Sequence, residues 1–185
     1  FATPPIDGAF TNYVTIHEDF AFMLPDSMSF EVGALMEPLS VGIWACRKAR
    51  LEGGDHVLVT GAGPIGLLVM QVALAMGATD VTITDVNPRR LEVAHRTGAT
   101  QALNVSETSL SDAGIEANVL IECSGNQQVL LDGIRALRPA ARAVIVGMGP
   151  GDEMLVPLSF IQNREIWLTG IFRYANTYPG AIAMA

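Results

Sequence analysis

The stretch VLVTGAGPIGLLVMQVALAMGATDVTITD, residues 57–85, carries the strongest structural signal in the chain. A β-branched apolar run leads into the spacing Gly-x-Gly-x-x-Gly, formed by Gly61, Gly63 and Gly66, and a long apolar helix pattern follows. The first glycine permits a tight bend, the second lets a pyrophosphate approach the backbone, and the third lets the helix lie close to the strand. The helix starting at Pro64 offers free N–H groups to the phosphates. The segment therefore predicts a dinucleotide-binding turn.

Asp85 lies 24 residues after Gly61, at the end of the second predicted strand. A carboxylate at this spacing accepts hydrogen bonds from the adenosine ribose hydroxyls and repels a 2′-phosphate, which favours NAD over NADP. Arg89 and Arg90 follow it. A guanidinium can bind phosphate, stack on adenine or contact ribose, so these arginines are either ligand contacts or solvated residues at a helix start. We expect NAD as the cofactor.

The pattern around this segment predicts an α/β fold with a doubly wound parallel sheet, because strands alternate with helices. Strands are predicted at 9–16 (an edge strand), 56–60, 81–84, 102–105, 117–121, 143–146 and 166–171. Helices are predicted after the N-cap residue Ser29, with Glu31 in the first turn, at about 39–49, at 64–76, from Pro88 to about Thr97 after the N-cap residue Asn87, and at 127–137. Ligands bind beyond the carboxyl ends of the strands in such sheets, which is where Ser124, Gly147 and Arg173 fall.

Composition limits the function classes. The chain has 185 residues, enough for one domain or one domain plus part of another, and is 50% hydrophobic with a net charge of −8. This acidity argues against nucleic-acid and anionic-membrane partners. The longest apolar run is too short to span a bilayer, and we expect no signal peptide, because residues 1–10 lack a basic region followed by an apolar one. Cys46 and Cys123 are predicted to be reduced, mostly buried thiols of a cytoplasmic protein.

Five segments resemble the medium-chain, zinc-dependent alcohol dehydrogenases, most closely the polyol branch with the sorbitol (L-iditol) and xylitol dehydrogenases. The segments are GALMEPLSVGIWACRKA (33–49), GAGPIGLLVMQVALAMGA (61–78), TDVNPRRLEVAHRTGA (84–99), ECSGN (122–126) and GIFRYANTYP (170–179). The resemblance implies a Rossmann NAD-binding fold with flanking remnants of a GroES-like catalytic domain. It divides the chain into a catalytic-domain edge and linker (1–35), an NAD-binding domain (36–176) and the start of a truncated C-terminal part (177–185).

The same resemblance implies oxidation of a small polyol to a ketose, with hydride transfer to NAD⁺ and Zn²⁺ as Lewis acid. Glu37 is implied to lie beside the zinc and is a candidate metal ligand. Arg173 is implied to pair with Glu37, and Arg173 and Tyr174 to reach substrate hydroxyls. Without the resemblance, Glu37 would be an ordinary solvated glutamate and Arg173 a loop arginine. The implied cofactor-binding residues are Gly61, Gly63, Pro64, Ile65, Gly66, Asp85, Arg90, Ser124, Val146, Gly147, Met148, Phe172 and Arg173.

The chain departs from the family pattern because the family's Cys and His-Glu zinc ligands, expected upstream of FATPP (1–5), are not among its 185 residues, and its three histidines are scattered. We expect a fragment that binds NAD(H), needs a missing catalytic domain for activity, and forms a homo-oligomer through the sixth strand at a sheet edge. Three alternatives stay open: a zinc alcohol or threonine dehydrogenase, a zinc-free quinone reductase, and a non-catalytic NAD-binding module. The particular polyol also stays open.

Overall fold

The computed structural model describes residues 8–185, and within them a single sheet carries the fold. The strands are β1 (His56–Thr60), β2 (Asp80–Asp85), β3 (Gln101–Asn104), β4 (Ala117–Glu122), β5 (Leu137–Ile145) and β6 (Trp167–Gly170). Their order is β3-β2-β1-β4-β5-β6, and every neighbouring pair is parallel. This is the doubly wound order, with its switch point between β1 and β4. The predicted fold class is confirmed, including the edge position of the sixth strand.

Helices cover both faces of this sheet. They are α1 (Phe30–Ala34), α2 (Met36–Lys48), α3 (Pro64–Ala75), α4 (Pro88–Arg96), α5 (Gln127–Arg135), α6 (Leu158–Asn163) and α7 (Tyr178–Met184). Successive strand residues point to opposite faces, so Val57 and Val59 join the core beneath α2, α3 and α4, whereas Leu58 joins the core beneath α5. Both faces of the inner strands are therefore buried, as is usual in parallel sheets, whereas β3 and β6 at the edges are partly exposed. No helix in the described part of the chain is long and apolar enough to cross a membrane.

Two helix starts have the predicted side-chain caps, whereas the start of α3, which matters for the site, has none. Ser29 accepts a hydrogen bond from the Val32 N–H at 3.3 Å, and Asn87 accepts one from the Arg89 N–H at 3.0 Å, as predicted for both helix starts. The residue before α3 is Gly63, which has no side chain, so no side-chain cap is made there. The first N–H groups of α3 are left for other partners.

Several predicted bounds are wrong. Residues 9–16 form no strand and are exposed throughout, because their loose alternation has no buried face to place against a core. Residues 1–7 of the predicted first segment lie outside the described residues. The α2 helix begins three residues earlier than predicted, and α3 ends one residue earlier. The α5 helix ends at Arg135, and β5 begins at Leu137 rather than Ala143, because Leu137 pairs with Ala117 across a register shift.

A buried polar network joins the amino ends of β1, β4 and β5. Arg142 Nη2 lies 2.5 Å from Asp55 Oδ1, and Asn118 Nδ2 donates to the same oxygen at 2.5 Å. The Glu52 N–H donates to Asp55 Oδ2 at 2.8 Å. The Asp55 side chain is only 5% exposed, so this carboxylate depends on these donors for its solvation. The network holds the amino ends of the sheet in place, away from the carboxyl ends that form the site.

Candidate functional site

The Gly-rich turn between β1 and α3 has the shape that its spacing predicts. Gly61 has a φ of +90°, and its N–H donates to the Thr84 carbonyl at 2.8 Å. A Cβ on Gly66 would lie 1.8 Å from the Gly61 carbonyl oxygen, so only glycine lets α3 approach the strand this closely. A Cβ on Gly63 would meet nothing within 4 Å. The backbone is therefore tightly packed at Gly66 and open at Gly63, where α3 starts without a side-chain cap. A pyrophosphate needs such an open helix start.

A cavity of about 290 Å³ opens beside this turn, at the carboxyl ends of β1, β2 and β4. It brings together five of the predicted cofactor-binding residues: Gly61, Gly63, Asp85, Arg90 and Ser124. Thr84, Val86, Val105, Cys123, Asn126 and Val129 complete its lining. Two other cavities, of about 250 and 520 Å³, lie toward the amino ends of the strands and contain none of the predicted residues. The cavity lies at the switch point of the sheet, where such folds bind ligands.

Asp85 is the acidic group of this cavity. Its Oδ2 accepts a hydrogen bond from the Ala62 N–H at 2.8 Å, and its Oδ1 accepts from the Val86 and Asn87 N–H groups, both at 2.8 Å. Arg90 Nη1 lies 3.5 Å from Oδ2. These four contacts hold the carboxylate rigidly at the cavity wall, and Arg90 is the adjacent cation. Asp85 and Arg90 thus give this wall of the cavity one acidic and one basic group.

Glu122, at the end of β4, is a site residue to which the sequence analysis assigned no role. It is fully buried, and its Oε1 accepts from the Ser124 N–H at 2.7 Å, the Ser124 hydroxyl, and the Gly125 N–H at 3.0 Å. The Thr60 hydroxyl donates to the same oxygen at 3.4 Å. The available signal was a carboxylate ending the otherwise apolar strand ANVLIE, which is an unusual residue to bury.

The segment after β5 meets the segment after β4 at backbone distance. The N–H groups of Val146 and Gly147 both donate to the Glu122 carbonyl at 2.8 Å. A Cβ on Gly125 would lie 2.2 Å from the Met148 carbonyl oxygen, so these two loops are in direct contact. The Met148 side chain is 85% exposed. The structure thus places the predicted nicotinamide-lining residues next to Ser124, on the β5 side of the switch point.

The predicted catalytic residues form a second group, between the start of α2 and the start of α7. Tyr174 lies edge-on to Tyr178, with ring centroids 5.7 Å apart, and Phe22 stacks on Tyr178 at 4.9 Å. Burial raises the pKa of Tyr174 above its usual range, and hydrogen bonds to Tyr178 and Glu37 raise it further. The Tyr174 phenol is therefore neutral at physiological pH, and it contacts Glu37. Phe22 and Tyr178 are members of this group that the sequence analysis missed.

Arg173 occupies a left-handed turn beside this group, with a φ of 62°. Non-glycine residues adopt such backbone angles rarely, and mostly where the surroundings impose them. Its guanidinium lies 5.0 Å from the centroid of the Phe172 ring, which is 77% exposed. The ion pairs of residues 8–185 do not include the expected one between Arg173 and Glu37.

Both cysteines have thiol pKa values raised above the usual range. Both are free thiols, as predicted, with Cys46 buried and Cys123 half-buried. Burial raises the pKa of Cys46 to about 12. Burial, and then the nearby negative charge of Glu122, raises the pKa of Cys123 well above its usual range. Both thiols are therefore protonated near neutral pH, and the protonated form is a poor nucleophile.

The metal-ligating side chains of residues 8–185 are dispersed. No three His, Cys, Asp or Glu side chains in this part of the chain lie close enough together to hold a metal ion. A catalytic zinc needs three protein ligands. Glu37 supplies a single carboxylate, which is too few ligands to hold a zinc ion.

The sequence from the Gly-rich turn onward matches a known protein family. The model of that family, described as zinc-binding dehydrogenase, matches residues 64–185. The chain belongs to the zinc-binding dehydrogenase family. Its likeness to relatives places it close to sorbitol dehydrogenase among the medium-chain members. The sorbitol dehydrogenase of Bacillus subtilis is 41% identical over 189 residues, and that of Rattus norvegicus 43% identical over 192 residues.

These alignments cover 98% and 99% of this chain but 53% of each relative. The chain therefore spans about half the length of the curated dehydrogenases it matches. Among solved dehydrogenase structures, L-idonate 5-dehydrogenase from Escherichia coli superposes with a TM-score of 0.91 at 29% identity, over 98% of this chain and 53% of that one. The fold and the family agree.

Two further solved structures contain cofactors. A protein from Escherichia coli CFT073, described as a short chain alcohol dehydrogenase, is complexed with NADH and has a TM-score of 0.90 at 28% identity, over 96% of this chain and 54% of that one. A zinc-binding dehydrogenase from Sinorhizobium meliloti is bound to NADP, with a TM-score of 0.91 at 27% identity, over 96% and 55%. Similar proteins thus bind either dinucleotide.

Proposed function

We propose that this chain is the cofactor-binding portion of an NAD-dependent, zinc-requiring polyol dehydrogenase, which converts a polyol and NAD⁺ to a ketose and NADH. The observation that carries this proposal is the cavity at the switch point. Residues far apart in sequence meet there, from the Gly-rich turn, the end of β2 and the end of β4. The open backbone at Gly63 suits a pyrophosphate, and the carboxylate of Asp85 suits ribose hydroxyls.

The Asp85 carboxylate supports NAD rather than NADP. A 2′-phosphate carries negative charge and would stand beside a carboxylate that three backbone N–H groups hold in place. Arg90 is close enough to Asp85 to neutralise part of this repulsion, but it already faces that carboxylate. The charges at the cavity wall therefore favour an adenosine ribose without a 2′-phosphate, as in NAD.

The polyol site is proposed near Glu37, Arg173 and Tyr174. Tyr174 is a neutral phenol and can donate a hydrogen bond to, or accept one from, a substrate hydroxyl. The left-handed turn at Arg173 orients the segment that carries both side chains. Glu37 is proposed to lie beside the zinc, with the other metal ligands supplied by parts of the enzyme other than residues 8–185. The relatives named sorbitol dehydrogenase support a polyol substrate.

Division of the chain into 1–35, 36–176 and 177–185 is kept as a proposal. The helices α2 to α6 and all six strands lie within the second range. The last range consists of α7 and the residues around it, and α7 packs on α2 through the buried Ala181. We also propose a cytoplasmic homo-oligomer that associates through the edge of β6.

Calorimetric titration of this chain with NAD⁺, and then with NADP⁺, tests the proposal. Binding of NAD⁺ at least about tenfold tighter than NADP⁺, about 1.4 kcal/mol, is expected. Tighter binding of NADP⁺ would mean that Arg89 and Arg90 outweigh Asp85 and would favour the reductase alternatives. Absence of binding to either dinucleotide would refute the cofactor role for this chain alone.

An activity assay tests the second half of the proposal. We expect the 185-residue chain alone to form no NADH from sorbitol, xylitol or L-iditol with added Zn²⁺, because residues 8–185 contain no three-ligand metal cluster. Polyol- and zinc-dependent formation of NADH by this chain would contradict that expectation.

A further inference from the structure

Glu122 is a buried carboxylate at the end of β4. Among residues 8–185 no Lys, Arg or His side chain forms an ion pair with it. Burying a carboxylate is costly unless it is paired or well hydrogen-bonded. Glu122 meets that requirement with donors alone: the hydroxyls of Thr60 and Ser124 and the N–H groups of Ser124 and Gly125. Hydrogen-bond donors within residues 8–185, and no cation there, thus compensate the burial of this carboxylate.

The same residue joins three loops of the proposed cofactor site. The Thr60 contact reaches the end of β1, immediately before the Gly-rich turn, and the Ser124 and Gly125 contacts fix the turn after β4. The Glu122 carbonyl accepts from the N–H groups after β5, and a Cβ on Gly147 would lie 2.8 Å from Glu122 Oε2. The carboxylate thus lies directly beneath the loop that is expected to line the nicotinamide.

We propose that Glu122 is a positioning residue that assembles the nicotinamide side of the site, and that its buried charge favours the oxidised cofactor over the reduced one. This inference rests on the proposed function as a dinucleotide-binding chain. The oxidised nicotinamide ring carries a positive charge and the reduced ring carries none. A nearby negative charge therefore stabilises only the oxidised form. At an effective dielectric of about 20 and a separation of about 10 Å, one charge changes such an equilibrium by about tenfold.

Glu122→Gln isolates the charge from the positioning. Four of the five side-chain contacts are made by Oε1, whereas Oε2 has only the Gly125 N–H at 3.3 Å. A glutamine that places its carbonyl oxygen at the Oε1 position keeps the main contacts and loses the charge. Glu122→Asp is the complementary variant, because it keeps the charge and retracts the carboxylate from its donors. Glu116→Gln is the matched control, since Glu116 lies at the opposite, amino end of the same strand and its side chain is 74% exposed.

The dissociation constants of NAD⁺ and NADH are measured for the wild-type chain and the three variants, by calorimetry and by NADH fluorescence. In Glu122→Gln we expect the preference for NAD⁺ relative to NADH to fall by about tenfold, equivalent to about 30 mV for a two-electron couple. In Glu122→Asp both forms are expected to bind more weakly, with a ratio within about twofold of wild type. Glu116→Gln should change neither constant.

The outcomes separate this inference from the proposed function. Wild-type chain that binds neither form overturns both. Wild-type binding with an unchanged ratio in Glu122→Gln overturns the charge effect alone and leaves the cofactor role standing. If Glu122→Gln does not fold, the Glu122→Asp variant is the test. A change of more than about twofold in its ratio of NAD⁺ to NADH dissociation constants would show that geometry, and not charge, sets the preference for the oxidised cofactor.

Discussion

Two glycines of the same turn should respond in opposite ways to the same substitution. Gly63 has a φ of −69° and open space around its Cα, so alanine fits there without strain. Gly63→Ala should leave the free chain as stable as before, or more stable by about 0.4–1 kcal/mol, because the unfolded chain loses freedom. The added methyl group stands where the pyrophosphate is proposed to approach. Loss of one charge-assisted hydrogen bond costs about 1.5–3 kcal/mol, so NAD⁺ affinity should fall by about 10- to 100-fold.

Gly66→Ala should do the reverse. Alanine is normally worth about 1 kcal/mol more than glycine inside a helix. Here its Cβ would lie 1.8 Å from a backbone oxygen of Gly61, which cannot rotate away, and overpacking of this kind costs about 3 kcal/mol. The net loss of about 2 kcal/mol should lower the melting temperature by about 4–8 °C.

Thermal melting of the free chains, followed by NAD⁺ titration of each, measures both effects. Wild-type affinity in Gly63→Ala would show that the pyrophosphate does not pass over this residue. An unchanged melting temperature in Gly66→Ala would show that α3 and β1 are not as close as the structure has them. Either result would refute the division of roles within the turn.

Three further expectations concern other parts of the chain. Arg142→Met should destabilise the fold by about 3–5 kcal/mol in urea unfolding, because it leaves the buried carboxylate of Asp55 without its cation; a loss under about 1 kcal/mol would contradict this. The pKa of Tyr174 is raised in the folded chain, so the stability that its neutral phenol contributes should be complete below about pH 10 and should be lost as the pH rises further. Because Tyr174 stays neutral at pH 11, Tyr174→Phe should not reduce the phenolate absorbance that the folded chain shows at that pH. The Ile171 N–H bonds to β5, so the N–H of the preceding residue, Gly170, faces outward from the sheet edge. Gly170→Pro removes that outward N–H and should therefore dissociate the proposed oligomer in sedimentation experiments without unfolding the chain. An intact oligomer would place the interface elsewhere.

Local patterns predicted most of the framework. The strand and helix order follows from apolar periodicity, and the helix starts at Phe30 and Pro88 follow from Ser29 and Asn87, whose caps act within three residues. The spacing of the three glycines likewise predicted the turn between β1 and α3, because the conformation of a tight turn depends on residues that are close together in the sequence. The predicted strand at 9–16 does not form, because its alternating apolar residues have no core to pack against. The predicted start of β5 at Ala143 is also wrong, because this strand begins at Leu137 and continues through Pro139.

The candidate site was predictable only in part. Its glycines and Asp85 belong to one local βαβ unit, so their spacing in sequence reports their proximity in space. The resemblance to the dehydrogenase family added Glu37, Arg173 and Tyr174, whose roles stay predictions.

Residue patterns alone were enough to predict the order of the elements, the doubly wound class and the dinucleotide turn, because apolar periodicity and glycine spacing record the local conformation of successive strands and helices. Tertiary structure decided which distant groups share an environment. It joined Thr60, Glu122 and Gly147 around one buried carboxylate, and it placed Phe22 on Tyr178. Such contacts depend on how strands and helices pack, and no spacing in the sequence records the distance between two side chains that meet only after the sheet has formed.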